Sequence, residues 1–247
     1  MTASPRPWVS VVIPIKDELE SLTPLTDKLV KVLGSLESSR TAPVEILYVD
    51  DGSTDGSDAL LDRLAEEHRE VRVLHFDRNY GKTAALDAGF RHTSGEIVVE
   101  LDGDLQNDPA DIPEMISMAA HYDLVCGWRQ DRHDNLLRKV SSRLAFFIRN
   151  AITRDGIHDT GCPFKVFRRT LLDRLPLFEG MHRFFPTLAL MYGFTITEVP
   201  VRHYPRMHGR SKYGFWNRFF ASLYDLVAVR WMQSRVLRYR FRQGKRP

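Results

Sequence analysis

Short β-branched runs alternate with stretches of helical period through the first half of the chain, and few architectures accept that rhythm. Residues 8–14 (Trp-Val-Ser-Val-Val-Ile-Pro), 44–49, 71–76, 96–101 and 123–127 read as strands. Over residues 18–36, Leu22, Leu25, Leu29, Val32, Leu33 and Leu36 recur at near-helical spacing. Further helices are expected from a cap at Thr54 to about His68, over 82–92 and over 110–120. Elements alternating in this way imply an α/β fold, a mostly parallel sheet flanked by helices, because each parallel pair needs a crossover. Parallel strands also place their carboxyl ends on one rim, where open sheets bind ligands.

After Trp128 the rhythm changes. Residues 136–153 read as a helix, 194–204 alternate like a strand, and 215–241 read as an aromatic, basic helix. With 247 residues, 43% of them hydrophobic, the chain can build one sizeable core plus an appendage. A main domain over 1–213 and a C-terminal helical extension over 214–247 are expected. The net charge is only +3, yet from Arg202 onward there are 12 Lys/Arg and one acid, Asp225. Such an acidic body with a basic tail implies an anionic surface or ligand met by the C-terminal part. Two cysteines, Cys126 and Cys162, impose no disulfide framework, so a reducing compartment is the default. No uninterrupted apolar run reaches membrane-spanning length, residues 215–232 being broken by Arg218, Asp225 and Arg230. Met1–Pro7 shows no secretory pattern, so a cytoplasmic protein is expected.

Four polar clusters directly follow strands: Pro14-Ile-Lys-Asp-Glu18, Asp50-Asp-Gly-Ser-Thr-Asp55, Arg78-Asn-Tyr-Gly-Lys82 and Asp102-Gly-Asp-Leu-Gln106. Their convergence on one rim is the main sign of a site. Asp102 and Asp104 can both face a hard divalent cation if the chain turns at Gly103, and Gln106 can add a neutral oxygen; Mg²⁺ or Mn²⁺ held between carboxylates and a diphosphate is the usual arrangement. Read alone, an Asp-x-Asp is equally a solvated turn. Asp50 and Asp51 cannot both sit ionised in a dry place, so a polar partner such as a nucleotide base or ribose is expected, alongside capping by Ser53, Thr54 or Asp55. Dinucleotide binding fails because no glycine-rich turn follows the first strand, and Gly81-Lys82-Thr83 imitates a P-loop whose earlier glycine is replaced by Phe76. His68, His75, His92, His121 and His158 show no ligand spacing.

Taken together, Ser10-Val-Val-Ile-Pro14 with Glu18, Val49–Asp55, Arg78–Lys82 and Leu101–Pro109 resemble family 2 inverting glycosyltransferases of the GT-A fold. The Asp-Leu-Gln run, Arg138, Ser142 and Asp159-Thr-Gly161 narrow the resemblance to the polyprenyl-phosphate glycosyltransferases, over about 9–214. Many relatives add a hydrophobic helix pair at the C-terminus, whereas this chain has only its basic aromatic stretch. The resemblance implies that Pro14, Glu18, Asp50, Asp51, Lys82 and Asp102 line the donor site, for a UDP- or GDP-linked sugar. It implies that Asp104 and Gln106 hold the metal, and that Asp102, Asp104, Arg129 and Asp159 serve the reaction, Arg129 beside the phosphates. Arg138, Ser142, Arg206, Arg210, Ser211 and Lys212 would grip the phosphate of a polyprenyl phosphate acceptor.

The implied reaction is inverting transfer of a sugar to dolichyl or undecaprenyl phosphate. A phosphate nucleophile is already ionised at neutral pH, so positioning and charge neutralisation suffice without an obligatory base. Two other readings compete: transfer to a saccharide hydroxyl, and a scaffold that binds nucleotide sugar without turnover. Phe215, Trp216, Phe219, Phe220, Leu223, Leu226, Val227 and Trp231 with neighbouring arginines suit a helix in the lipid headgroup layer, or equally one packed on the protein's own core. The expected location is therefore peripheral, at the cytoplasmic face of a membrane, with a membrane-protein partner or homo-oligomer left open. Basic residues among aromatics also permit base stacking, but no nucleic-acid module accompanies them, so no nucleic-acid partner is expected.

Overall fold

The structure, a computed structural model, describes residues 6–40, 42–130, 149–205 and 215–237, with side chains of the last helix described from residue 223. Strands β1 (Val9–Ile15), β2 (Val44–Asp50), β3 (Val71–His75), β4 (Ile97–Glu100), β5 (Leu124–Trp128), β6 (Lys165–Arg168) and β7 (Ile196–Pro200) form one sheet of order β3-β2-β1-β4-β6-β5-β7. Every pairing is parallel except those of β6, which runs antiparallel to both β4 and β5. The α/β reading therefore holds, with one strand it did not contain. β6 is short and carries Lys165 at a buried central position, so neither length nor apolar pattern announces it.

Helices α1 (Leu19–Arg40), α2 (Ser57–Glu67), α3 (Lys82–His92) and α4 (Ile112–Met118) are the crossovers among the first five strands. β1 shows why the layers separate. Its Val9, Val11, Ile13 and Ile15 pack with Leu22, Leu25, Leu29 and Leu33 of α1 and with Ile112 and Met115 on one face. Val12 points the other way, with Leu86 and Phe90 of α3. Period-two alternation in a strand buried on both sides produces this division. α2 begins at Ser57 with Gly56 as its cap, not at Thr54, because the Thr54 N–H donates to Asp17 Oδ1 instead at 2.8 Å.

Beyond β5, residues 149–153 are helical, and α5 (Arg169–Leu172), α6 (Phe185–Met191) and α7 (Phe215–Arg235) complete the second layer. α7 satisfies both readings of the C-terminal helix, one on each face. Leu226 and Val229 are buried in the cluster that holds Phe185 and Leu188, and Gln233 Nε2 donates to the Thr153 carbonyl at 2.7 Å. Tyr224, Val227 and Trp231, spaced three and four apart, are 78%, 64% and 63% exposed. Among the described residues no helix is long and apolar enough to cross a membrane.

Candidate active site at the strand carboxyl ends

β1, β2 and β4 run parallel, so the loops leaving them meet on one rim, and chain order reverses about β1 there. The first two loops are laced together. Lys16 Nζ donates to the Gly52 carbonyl, the Asp17 N–H donates to Ser53 Oγ at 2.9 Å, and the Glu18 N–H donates to Ser57 Oγ at 3.1 Å. Pro14 lies opposite Val49 in the β1–β2 ladder, one step from the rim.

Asp50 and Asp51 divide their work. Asp50, 2% exposed, accepts from the Ser53 N–H at 2.9 Å and faces His75 Nδ1 at 3.0 Å. Asp51 turns toward the next loop, its two oxygens accepting the N–H groups of Tyr80 and Gly81 at 2.6 and 2.9 Å. Burial raises the Asp51 pKa, while those two donors pull against it. Gly52 lets the loops approach: its φ is +67°, and a Cβ there would lie 2.6 Å from the Arg78 carbonyl carbon. A cavity of about 530 Å³ opens beside these residues, lined by Lys16, Asp50, Thr54, His75, Arg78 and Asn79. That volume accommodates a nucleoside.

His75 was not among the residues singled out by sequence, yet it bridges Asp50 and, through Nε2 at 3.1 Å, Asp62. Burial draws its pKa down, but the two carboxylates more than reverse this and leave it above the ordinary histidine value. A raised native pKa adds stability that is fully present below the unfolded value of about 6.5 and is lost as pH rises through the higher native value. The melting temperature of the wild type should therefore fall more between pH 6 and pH 8.5 than that of His75→Asn, measured by scanning fluorimetry. Parallel curves would show that His75 carries no proton-linked stability.

Asp51 anchors the turn that starts α3, and Lys82 at its first position reaches across to β4. Lys82 Nζ donates to Asp102 Oδ1 and lies 3.8 Å from Glu100 Oε1. Burial lowers the Lys82 pKa, but Asp102 and Glu100 outweigh it and keep the ammonium charged. Gly103 permits the turn after Asp102, since a Cβ would meet Ile15 Cδ1 at 2.3 Å. Asp104, 8% exposed, accepts the Gln106 N–H at 3.2 Å across Leu105, whose φ of 58° is left-handed. A branched residue keeps that conformation only where its surroundings hold it, a common feature of functional turns. The strap after β7 supplies part of the hold. Tyr204 donates its N–H to the Gln106 carbonyl at 2.8 Å, and Arg202 grips Asp111 through Nε and Nη2 at 2.8 and 2.6 Å.

On the far side of the rim, Arg129 follows β5 and forks onto Asp159, with Nε and Nη2 donating at 2.7 and 2.9 Å. Burial lowers the guanidinium pKa, but the Asp159 carboxylate outweighs it. Glu198, on β7, fixes Asp159 in turn by accepting its N–H at 3.1 Å, together with the His158 N–H at 3.0 Å.

The structure thus brings Asp50, Asp51, Lys82, Asp102, Asp104 and Gln106 onto one rim through an unbroken series of contacts, with Arg129 and Asp159 at the end of neighbouring β5. Among the described residues no three His, Cys, Asp or Glu side chains gather to hold a cation unaided. The donor set at Asp104 and Gln106 consists of hard oxygens and suits Mg²⁺ or Mn²⁺ completed by ligand oxygens. Arg138, Ser142, Arg206, Arg210, Ser211 and Lys212 lie outside the described residues. Sequence reasoning missed Glu100, Lys165 and Glu198. A signal was available for Glu100, a lone acid inside an apolar strand.

Residues 10–175 match the glycosyl transferase family 2. A dodecaprenyl-phosphate galacturonate synthase of Rhizobium johnstonii is 36% identical over 242 residues, covering 96% of this chain and 69% of the relative. An undecaprenyl-phosphate 4-deoxy-4-formamido-L-arabinose transferase of Salmonella choleraesuis is 37% identical over 227 residues, covering 91% and 68%. Among solved structures, glucosyl-3-phosphoglycerate synthase from Mycobacterium tuberculosis with Mn²⁺, UDP and glucosyl-3-phosphoglycerate superimposes with a TM-score of 0.66 at 20% identity, covering 92% of this chain and 80% of that one. A mannosyltransferase from Pyrobaculum calidifontis with GDP-mannose and Mn²⁺ gives 0.62 at 20% identity, covering 98% and 66%. These likenesses show the GT-A fold.

Proposed function

The chain belongs to glycosyl transferase family 2, and from that membership we propose that it moves a sugar, with inversion, from a nucleotide-sugar donor to the phosphate of a polyprenyl phosphate. The donor half of this reading is carried by one observation, the contact series from Asp51 through Lys82 and Asp102 to Asp104 and Gln106 on a single rim. The acceptor half is supported by the likeness to two polyprenyl-phosphate sugar transferases over more than nine-tenths of the chain.

In this mechanism the nucleoside occupies the cavity beside Asp50, with Pro14 and Glu18 at its edge. Asp102 meets the ribose and sugar, and Asp104 with Gln106 would hold Mg²⁺ or Mn²⁺. The ion, when bound, neutralises charge on the departing diphosphate. Arg129, aimed by Asp159, stands beside the phosphates, where a planar fork pairs oxygens better than an ammonium does. The acceptor phosphate, held by Arg138, Ser142, Arg206, Arg210, Ser211 and Lys212, attacks the anomeric carbon. No base is required because it is already an anion.

The test offers UDP- and GDP-sugars with Mn²⁺ to the protein, once with undecaprenyl phosphate and once with saccharides. A lipid-extractable sugar phosphate is expected. Transfer to saccharides alone would replace the acceptor assignment, and binding without turnover would leave a scaffold.

We further propose that the protein works peripherally at the cytoplasmic face of a membrane. Cys126 and Cys162 are free and buried, which accords with a reducing compartment. Tyr224, Val227 and Trp231 stand outward on α7, while the helix's acid, Asp225, turns inward to Arg183 at 3.7 Å. An outward face of aromatics among cations suits anionic headgroups. Trp231→Ser combined with Tyr224→Ser should weaken flotation with phosphatidylglycerol vesicles about tenfold, with the melting temperature unchanged. Undiminished flotation would place the lipid contact elsewhere.

A further inference from the structure

Behind the rim lies a pair of charges that the proposed mechanism does not use. Glu100 on β4 and Lys165 on β6 stand directly opposite in the ladder, 1% and 2% exposed. Their Oε2 and Nζ are 3.8 Å apart, Oε2 has no hydrogen-bond partner, and Nζ is held by the Cys162 carbonyl. An ion pair this deep is costly to desolvate, and an apolar pair of similar size commonly serves stability as well. A buried carboxylate oxygen left unsatisfied also calls for a reason.

The reason lies on the other side of Glu100. Its Oε1 is 3.8 Å from Lys82 Nζ, the same ammonium that sits on Asp102. Charges therefore alternate from the sheet interior to the rim: Lys165, Glu100, Lys82, Asp102. An Asp102 carboxylate in contact with an ammonium is not open to a sugar hydroxyl until the ammonium withdraws. Withdrawal is cheap only toward another fixed negative charge, and Glu100 is within a small side-chain movement. Lys165 keeps that charge in place.

We propose that Glu100, anchored by Lys165, is a positioning residue that draws Lys82 off Asp102 as the nucleotide sugar enters, freeing Asp102 for the donor. No bond is made or broken, and the four side chains remain neutral in sum. Lys82 stays at the rim, within the field of the incoming diphosphate. The inference rests on the donor site described above and adds residues to it.

Calorimetric titration with UDP and with GDP, each with Mn²⁺, tests both levels. The wild type is expected to bind one of them. Glu100→Gln should weaken that binding about tenfold and raise the donor KM in step, with kcat within about twofold, because only the donor-entry step is affected. The double variant Glu100→Gln/Lys165→Met removes both buried charges, so it should fold at least as well as the single variant. It should nevertheless keep the weakened binding, since Lys82 still lacks its second carboxylate. Wild-type affinity in either variant overturns the inference, as does a loss confined to kcat with KM unchanged, the mark of a smaller folded fraction. A wild type that binds neither nucleotide overturns the donor reading itself, and the inference with it.

Discussion

Asp104→Ala should lower turnover at saturating Mn²⁺ by about a thousandfold or more, the scale on which charge stabilisation of a leaving group operates. The fold should survive. Asp104 is 8% exposed, and the hydrogen bond lost is its acceptance of the Gln106 N–H, a contact worth about 1 kcal/mol. Measured together, a melting temperature within a few degrees of wild type and a collapsed rate would place the loss in the chemistry. Added Mn²⁺ should not restore the rate, because alanine leaves one hard oxygen ligand, Gln106, where there were two. A rate near that of the wild type would remove Asp104 from the metal site, and the hydrolysable-donor reading of the rim would fall with it.

Asp159→Ala should act on stability and rate together. It strands the Arg129 guanidinium, which is 13% exposed on its side chain and has both fork nitrogens on Asp159. Removing one partner of a mostly buried pair costs about 3 kcal/mol. For a domain of this size that is a fall of about 8 °C in melting temperature. Turnover should fall about tenfold or more, because Arg129 loses the group that aims it at the phosphates. The double variant Arg129→Met/Asp159→Leu separates the two effects: stability should return, since no charge remains stranded, while the rate should not. Recovery of both would mean that the pair is a strut and that no phosphate meets Arg129.

Particular elements show what could be read in advance. β1 was plain because a run of Val and Ile closed by Pro14 is what a strand buried on both faces requires. α1 and α3 were plain from their period, and their ends fell within a few residues of the expected ones. The start of α2 was misplaced because Thr54, a good cap by type, was drawn away by Asp17 from a loop 37 residues distant. β6 was hidden because its lysine is admissible in a sheet centre only opposite Glu100, and nothing local to residues 165–168 announces that partner. The same limit applied to Asp51. Its type suggested a nucleotide contact, whereas its two oxygens are held by Tyr80 and Gly81.

The sequence by itself determined the layered α/β frame and the placing of the acidic clusters at strand ends, because periodicity, β-branching and glycine at turns act within a few residues of themselves. Only the tertiary structure decided which charge meets which: Lys82 with Asp102, Arg129 with Asp159, Lys165 with Glu100, and Asp225 turned inward toward Arg183. A charge taken out of water must find its opposite among whatever the fold brings within a few ångströms. Those neighbours lie tens of residues away along the chain, and their identity is set by the order and direction of the strands.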